Sequence, residues 1–272
     1  MDNVVECKSS NQRLTLTINP SFEKRNTAVA KLLVAAYEIS KKSDFHFAVA
    51  TTDNPVFLKT CKTYNFSTTN HDYASTVPDF LFDCWTECDI DDYDSFCSKL
   101  SEWGLCKPST DKVGWVGANT SEVRTKMLIY CIHDIFYKNH CEFIVGEKKF
   151  NNFMSFEDQI KKWRFLVDAE GIGWSARLKL LFFSRRVVFL VDRPCKEFYF
   201  EKIVPWKHYV PVSRDLSDFK KNISLLLNDS LLEESIKQNA FDFAKKNLTR
   251  QCAIQYLANI MNSSIGCCQN PS

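Results

Sequence analysis

Residues 163 to 191 read as strand, glycine turn, helix and strand, an order that restricts the chain to folds built on a parallel sheet. Trp163-Arg164-Phe165-Leu166-Val167 is an apolar run, and Asp168-Ala169-Glu170-Gly171-Ile172-Gly173-Trp174-Ser175 is a turn. Ala176 to Phe183 then has a helical pattern, and Arg186-Val187-Val188-Phe189-Leu190-Val191 is β-branched. Parallel neighbours need a crossover of this kind. The turn brings the first free N–H groups of the helix, and the positive end of its dipole, to the end of the strand, where an anion can sit. Arg177 adds a guanidinium in the first turn. Ile172, Gly173, Trp174, Ser175, Ala176 and Arg177 are therefore candidates to hold a phosphate or diphosphate. An ordinary strand-to-helix turn with a surface arginine is the competing reading. The chain holds only 7 glycines in 272 residues, so a pair at 171 and 173 favours a placed feature.

A second ligand fits the same letters. Gly171-x-Gly173-x-x-Ala176 matches the dinucleotide fingerprint, with Asp192 near the position of a ribose-binding acid. Against an NAD-dependent oxidoreductase stands the short remainder of the chain, most of it helical in pattern.

Downstream motifs carry more weight. Glu197-Phe198-Tyr199-Phe200, then Val204-Pro205-Trp206-Lys207-His208-Tyr209-Val210-Pro211-Val212, then Asp215-Leu216-Ser217-Asp218 follow at close spacing. Together with Glu170-Gly171-x-Gly173-Trp174-Ser175-x-Arg177 this succession resembles glycosyltransferase family 90, the family of protein O-glucosyltransferases and fungal capsule xylosyltransferases. The resemblance reaches back to Asp44-Phe45-His46-Phe47-Ala48-Val49-Ala50-Thr51-Thr52-Asp53-Asn54-Pro55, which is similar to a family pattern whose last Asp is the catalytic base.

On its own residues, 44 to 50 is a strand, and the loop after a strand's carboxyl end is where open α/β sheets handle ligands. That places Asp53 for chemistry, beside the alternative of a plain Asp-Asn-Pro turn. By resemblance, Asp53 is the base, and Glu197, Gly117 and Arg124 join the 172–177 turn in holding the donor. Val116 stands where the family carries a cation next to Gly117, a departure that bears on donor binding or activity.

The length suits two domains of ordinary size. A net charge of +2 with scattered Lys and Arg excludes a nucleic-acid footprint. No run of about 18 apolar residues suggests a membrane span. Met1 to Gln12 is polar and acidic, which reads as a soluble, cytoplasmic chain without a signal peptide. Six N-x-[ST] sequons, at Asn65, Asn119, Asn222, Asn228, Asn247 and Asn262, keep a secretory address open. The 12 cysteines read as reduced thiols, and Cys84-x3-Cys88 and Cys267-Cys268 lack zinc spacing, so no metal is expected. Asp89-x-Asp91 reads as a solvated loop or helix start.

Further elements follow from periodicity: a strand at 13–18, a helix at 21–40, a strand and its following loop at 112–120, a strand at 141–145, and helices at 155–162, 217–227, 229–244 and 250–261. Lys107-Pro108-Ser109-Thr110-Asp111 reads as a linker, and Ser217 and Asp229 as N-caps. Ile265 to Ser272 reads as a polar tail.

The resemblance implies an α/β protein of glycosyltransferase B type, two Rossmann-like domains facing across a cleft. Residues 1–108 would form the acceptor side and 109–245 the nucleotide-sugar side. Residues 246–272 would form a helix packing back on the first domain, then the tail. The implied activity transfers glucose or xylose from a UDP-sugar to a hydroxyl of a protein or glycan, inverting and metal-independent, with the UDP-sugar as co-substrate and no other cofactor. A catalytically silent binding protein of the same fold is the alternative.

Overall fold

The computed structural model describes residues 3–18, 23–146 and 154–263. By its internal contacts the chain forms two units. The first takes Met1–Phe96, Cys195–Phe200 and Leu248–Ser272, and the second takes Cys97–Pro194 and Glu201–Asn247.

In the first unit, β1 (Val4–Ser10), β2 (Arg13–Ile18), β3 (Phe45–Ala50) and β4 (Lys62–Tyr64) form a sheet of order β2-β1-β3-β4. β1 runs antiparallel to both β2 and β3, while β3 and β4 are parallel. Asn11 and Gln12 join β1 to β2 with φ of 51° and 58°, the pair of left-handed residues that a two-residue hairpin matched to strand twist requires. Helix α1 (Glu23–Ile39) turns Ala28, Val29, Leu32, Leu33 and Ala36 inward. The last helix, α9 (Arg250–Ser263), packs on α1 through Ala253, Ile254, Leu257, Ala258 and Met261. Tyr93 donates to the Leu248 carbonyl at 2.7 Å, and Arg250 pairs with Asp83 at 2.9 Å, tying this C-terminal segment to the unit.

The second unit holds five parallel strands: β5 (Thr110–Gly117), β6 (Cys141–Val145), β7 (Trp163–Asp168), β8 (Val187–Val191) and β9 (Val210–Val212), ordered β6-β5-β7-β8-β9. Every residue of β8 is buried, as expected of a strand covered on both faces. Helices α3 (Glu122–His133), α4 (Ile135–His140), α5 (Phe156–Lys162), α6 (Leu178–Phe183), α7 (Phe219–Asn228) and α8 (Ser230–Asn247) connect and flank the strands. One core cluster joins Trp115, Phe165, Phe189, Val210, Phe219 and Ile236. Gly114 is required on β5 because a Cβ there would lie 1.7 Å from the Trp163 ring.

The expected α/β class is present, with the parallel, Rossmann-like sheet complete in the second unit and a mixed sheet in the first. Several elements differ from expectation. β1 was not expected, since only Val5 and Cys7 of its alternate buried positions are apolar and the strand owes its form to pairing on both sides. Residues 93–103 form α2, also unexpected, and the units part along the chain within it, between Phe96 and Cys97. The segment 107–111 is part of the second unit rather than a linker, because Ser109 and Thr110 bond to the Lys161 and Lys162 carbonyls. Asp218, not Ser217, is the N-cap of α7. Asp229 caps the next helix as expected, its carboxylate accepting from Leu232 N at 2.9 Å. Residues 265 to 272, Cys267 and Cys268 included, lie outside the described residues. Among the described residues the cysteines are free thiols, and no helix is long and apolar enough to cross a membrane.

Candidate active site

The sheet order of the second unit reverses direction between β5 and β7, and in open α/β sheets ligands bind outside the carboxyl ends of the strands at such a switch point. β5 ends at Gly117 and β7 at Asp168. The residues of the glycine turn, with Gly117 and Arg124, all gather here. Gly173 has φ of 88°, a left-handed conformation that glycine adopts without strain. Gly117 lies against Trp115, where a Cβ would approach the ring to 2.8 Å.

Asp168 organises the edge from below. It is fully buried, and it accepts from Ser175 Oγ at 2.7 Å, from Arg177 Nε at 3.1 Å, and from Arg193 Nη2. Burial by itself would push its carboxyl up, but Arg193 and Arg177 hold it below the ordinary carboxylate range. Glu170 pairs in turn with Arg214, which follows β9. The carboxyl ends of β7, β8 and β9 thus each bring a charged group to one edge.

Arg177 does not present its guanidinium outward. Beyond Asp168, it donates to the Val116 carbonyl at 2.6 Å and the Val167 carbonyl at 2.7 Å, bracing β5 against β7. It is the N-cap of α6, which begins only at Leu178 and runs six residues, so the turn before it is a loop rather than a helix start. Ala176 consequently lies outside the helix, unlike the dinucleotide arrangement. Trp174 and Ser175 are buried, while Ile172 is exposed.

Arg124 behaves differently. Ser121 caps α3, and Arg124 sits in the first turn of that helix. Its guanidinium donates to Ala118 O at 2.9 Å, Thr120 Oγ1 at 3.0 Å and Ala169 O at 2.9 Å, and lies 5.3 Å from the Trp115 ring centre. Among the described residues it has no carboxylate partner, and its Nε is buried without an acceptor. Burial lowers the guanidinium to about 10, and Arg177 beside it acts in the same direction. A half-buried cation with neutral ligands is a place where an anion gains strongly.

In the first unit, Asp53 follows the carboxyl end of β3 by three residues, with its side chain 40% exposed. Arg25 of α1 donates to its Oδ1 at 2.9 Å, and the same guanidinium lies 4.8 Å from the Phe80 ring centre. Thr51 is anchored below by Asn26 at 2.6 Å. Asp53 is therefore held by one cation and still open to solvent. Glu197 lies in the first unit too, buried and accepting from the Tyr199 hydroxyl at 3.0 Å.

The profile named Glycosyl transferase family 90 matches residues 17–264. The chain belongs to this family. O-glucosyltransferase rumi of Drosophila melanogaster is 33% identical over 97 residues, which cover 35% of this chain and 23% of that protein. Protein O-glucosyltransferase 1 of Homo sapiens is 27% identical over 101 residues, covering 37% of this chain and 26% of that protein. The matched stretch spans no more than 26% of either relative. A solved C-terminal domain of a Glycosyl Transferase Group 1 Family Protein (LpcC) from Francisella tularensis is similar with a TM-score of 0.37 and 12% identity, over 56% of this chain and 92% of that one.

Family 90 membership displaces the dinucleotide oxidoreductase reading. The motifs that carried the resemblance prove to be turn-makers. His208 Nδ1 accepts from Val204 N at 2.8 Å, and Trp206 takes φ of 62° in the turn into β9. Asp215 accepts from Ser217 N at 3.0 Å, and Asp218 from Ser213 N at 2.9 Å. Reading the sequence missed Asp168, Arg193, Arg214 and Arg25. The signal available for the first three was a charged residue just at or beyond each apolar strand of a parallel sheet.

Proposed function

We propose that the chain transfers a sugar from a UDP-sugar to a hydroxyl, with the diphosphate held at the carboxyl edge of β5 and β7 and Asp53 as base. The observation that carries the donor assignment is Arg124, a half-buried guanidinium with only neutral partners at the topological switch point. The Gly171–Gly173 turn, with Ile172 exposed, lies on the same edge, and Arg177 acts as a positioning residue through Val116 and Val167. The names of the relatives favour glucose as the sugar and a protein as the acceptor. Direct displacement at the anomeric carbon inverts it: the acceptor oxygen bonds to carbon, the bond to the diphosphate oxygen breaks, and the hydroxyl proton goes to Asp53. Guanidinium groups offset the charge developing on the diphosphate, so no divalent ion is required in this scheme.

Calorimetry with UDP tests it. Arg124→Gln should weaken UDP binding by about 1.5–3 kcal/mol, the range for a hydrogen bond to a charged group. Equal affinity in the variant sinks the assignment. Mass spectrometry after incubation with UDP-glucose, UDP-xylose and a protein acceptor should show a transferred hexose, at a rate that added Mn2+ does not raise. UDP binding without hydrolysis or transfer identifies a silent fold.

A further inference from the structure

On the first unit, well apart in sequence from the glycine turn, a second cluster of reactive side chains lies on β1, on β3 and at the entry to β4. Glu6 of β1 stands opposite Ala48 of β3, and His46 is two residues before Ala48, so strand alternation puts both on one face. Cys61 immediately precedes Lys62, which is level with Phe47 in the parallel pairing of β3 and β4. One step back along both strands brings Cys61 level with His46. The opposite face carries Val5, Cys7, Phe45 and Phe47, all fully buried. The cluster's own face is half-buried, with side-chain exposures of 26% for His46 and 39% for Glu6. His46 Nε2 lies 2.5 Å from Glu6 Oε1, and the nitrogen, carboxylate oxygen and sulfur of the trio fall within 4.8 Å of one another.

We propose that Glu6, His46 and Cys61 form a zinc site. The donor set is borderline-soft nitrogen and sulfur plus one carboxylate, the mixture that Zn2+ accepts and that Mg2+ and Ca2+ do not select. In a tetrahedron with bonds of about 2.1 Å to nitrogen and oxygen and about 2.3 Å to sulfur, ligand atoms lie roughly 3.4–3.6 Å apart. Opening the His46–Glu6 contact by about 1 Å and closing on Cys61 by a similar amount reaches that spacing through side-chain rotation, since β1 and β3 hold Glu6 and His46 and Cys61 adjoins the paired Lys62. The ion takes the place of the hydrogen between His46 Nε2 and Glu6 Oε1, the imidazole keeping its one ring proton on Nδ1, and it displaces the thiol proton of Cys61 to solvent. A water completes the fourth position. Burial pushes the Cys61 thiol up, a hydrogen bond with Thr60 acts against it, and the Glu6 carboxylate acts with it. Sequence spacing hid the trio, since its members are brought together by strand register rather than by a short motif.

Cobalt(II) is the probe, since a thiolate bound to Co2+ gives a charge-transfer band that carboxylate and imidazole do not. The full chain, purified under reducing conditions and stripped with chelator, should bind one equivalent of Zn2+ and show the thiolate band with Co2+. Cys61→Ser should abolish the band. His46→Ala and the nearly isosteric Glu6→Gln should each weaken Zn2+ by more than the roughly 10–100-fold that loss of an outer-shell partner costs. UDP affinity, which depends on the other unit, should be unchanged in all three, and hydrogen-exchange protection of β1 and β3 reports that the unit carrying the substitutions is folded. A thiolate band that persists in Cys61→Ser, or Zn2+ affinity unchanged by Glu6→Gln, overturns the proposal, as does a parent chain that binds no Zn2+.

Discussion

Replacing Asp168 with Asn leaves Arg177 and Arg193 buried beside a neutral amide, so the variant should lose about 3–5 kcal/mol of stability, the cost of breaking a buried ion pair from one side. Urea unfolding measures it, and a loss below about 1 kcal/mol would show that the arginines find other partners. The same carboxylate has a folded-state pKa lowered from its ordinary value. Its contribution is therefore fully present above the unfolded value of about 4, and it is lost as pH falls through the lower folded value. Asn at 168 should flatten that acid limb. Asp53 makes a contrasting forecast. Its pair with Arg25 is partly exposed and is worth about 0.2–1 kcal/mol, so Asp53→Asn should barely move the melting temperature. If Asp53 is the base, kcat falls by about 10²–10⁴ with UDP affinity intact; near-normal transfer removes it from the mechanism. The turn after β7 and the position of Asp53 beyond the carboxyl end of β3 were legible from residue type and spacing. The inward direction of Arg177 was not, because its acceptors at Val116 and Val167 are backbone carbonyls and carry no side-chain signal.

The contact between β5 and β7 offers the sharpest test among the elements. Gly114→Ala places a methyl inside the Trp163 ring, which is itself tied to Glu142 on β6 at 2.8 Å. Neither neighbour can yield without shifting a central strand, so the cost should reach the upper part of the roughly 1–3 kcal/mol range for overpacking, or exceed it. A melting temperature equal to that of the parent chain would mean that the strand pair relaxes freely. Strands β5, β7 and β8 were legible because buried parallel strands read as continuous apolar runs. The strand β1 was not, because its apolar alternation is only Val5 and Cys7 long and its form comes from β2 and β3 on either side. Helix α6 was read too long: Ser175 and Arg177 turn toward Asp168, and these bonds hold the preceding loop out of helical geometry.

At the scale of the whole chain, α9 returns to the first unit after the second is complete. Deleting residues 248–272 should unfold the first unit while leaving the second intact, since α9 buries Ile254, Leu257 and Met261 against that unit, on the order of 5 kcal/mol at about 1.5–3 kcal/mol per side chain. Hydrogen exchange should show α1 and β3 unprotected and β5 to β8 unchanged. Protected α1 amides in the truncated chain would remove α9 from that core. The sequence by itself determined the βαβ unit, the parallel sheet and the family, because periodicity, turn chemistry and ordered motifs are written over a few neighbouring residues. Only the tertiary structure decided that Cys195–Phe200, with Glu197, belongs to the first unit. The same holds for Arg177 bracing two strand ends while Arg124 keeps its charge without an acidic partner, and for Glu6, His46 and Cys61 sharing a face. Those outcomes depend on strand register and on pairings between residues far apart in the chain, such as Val116 with Arg177 and Thr68 with Lys196, and no local pattern encodes them.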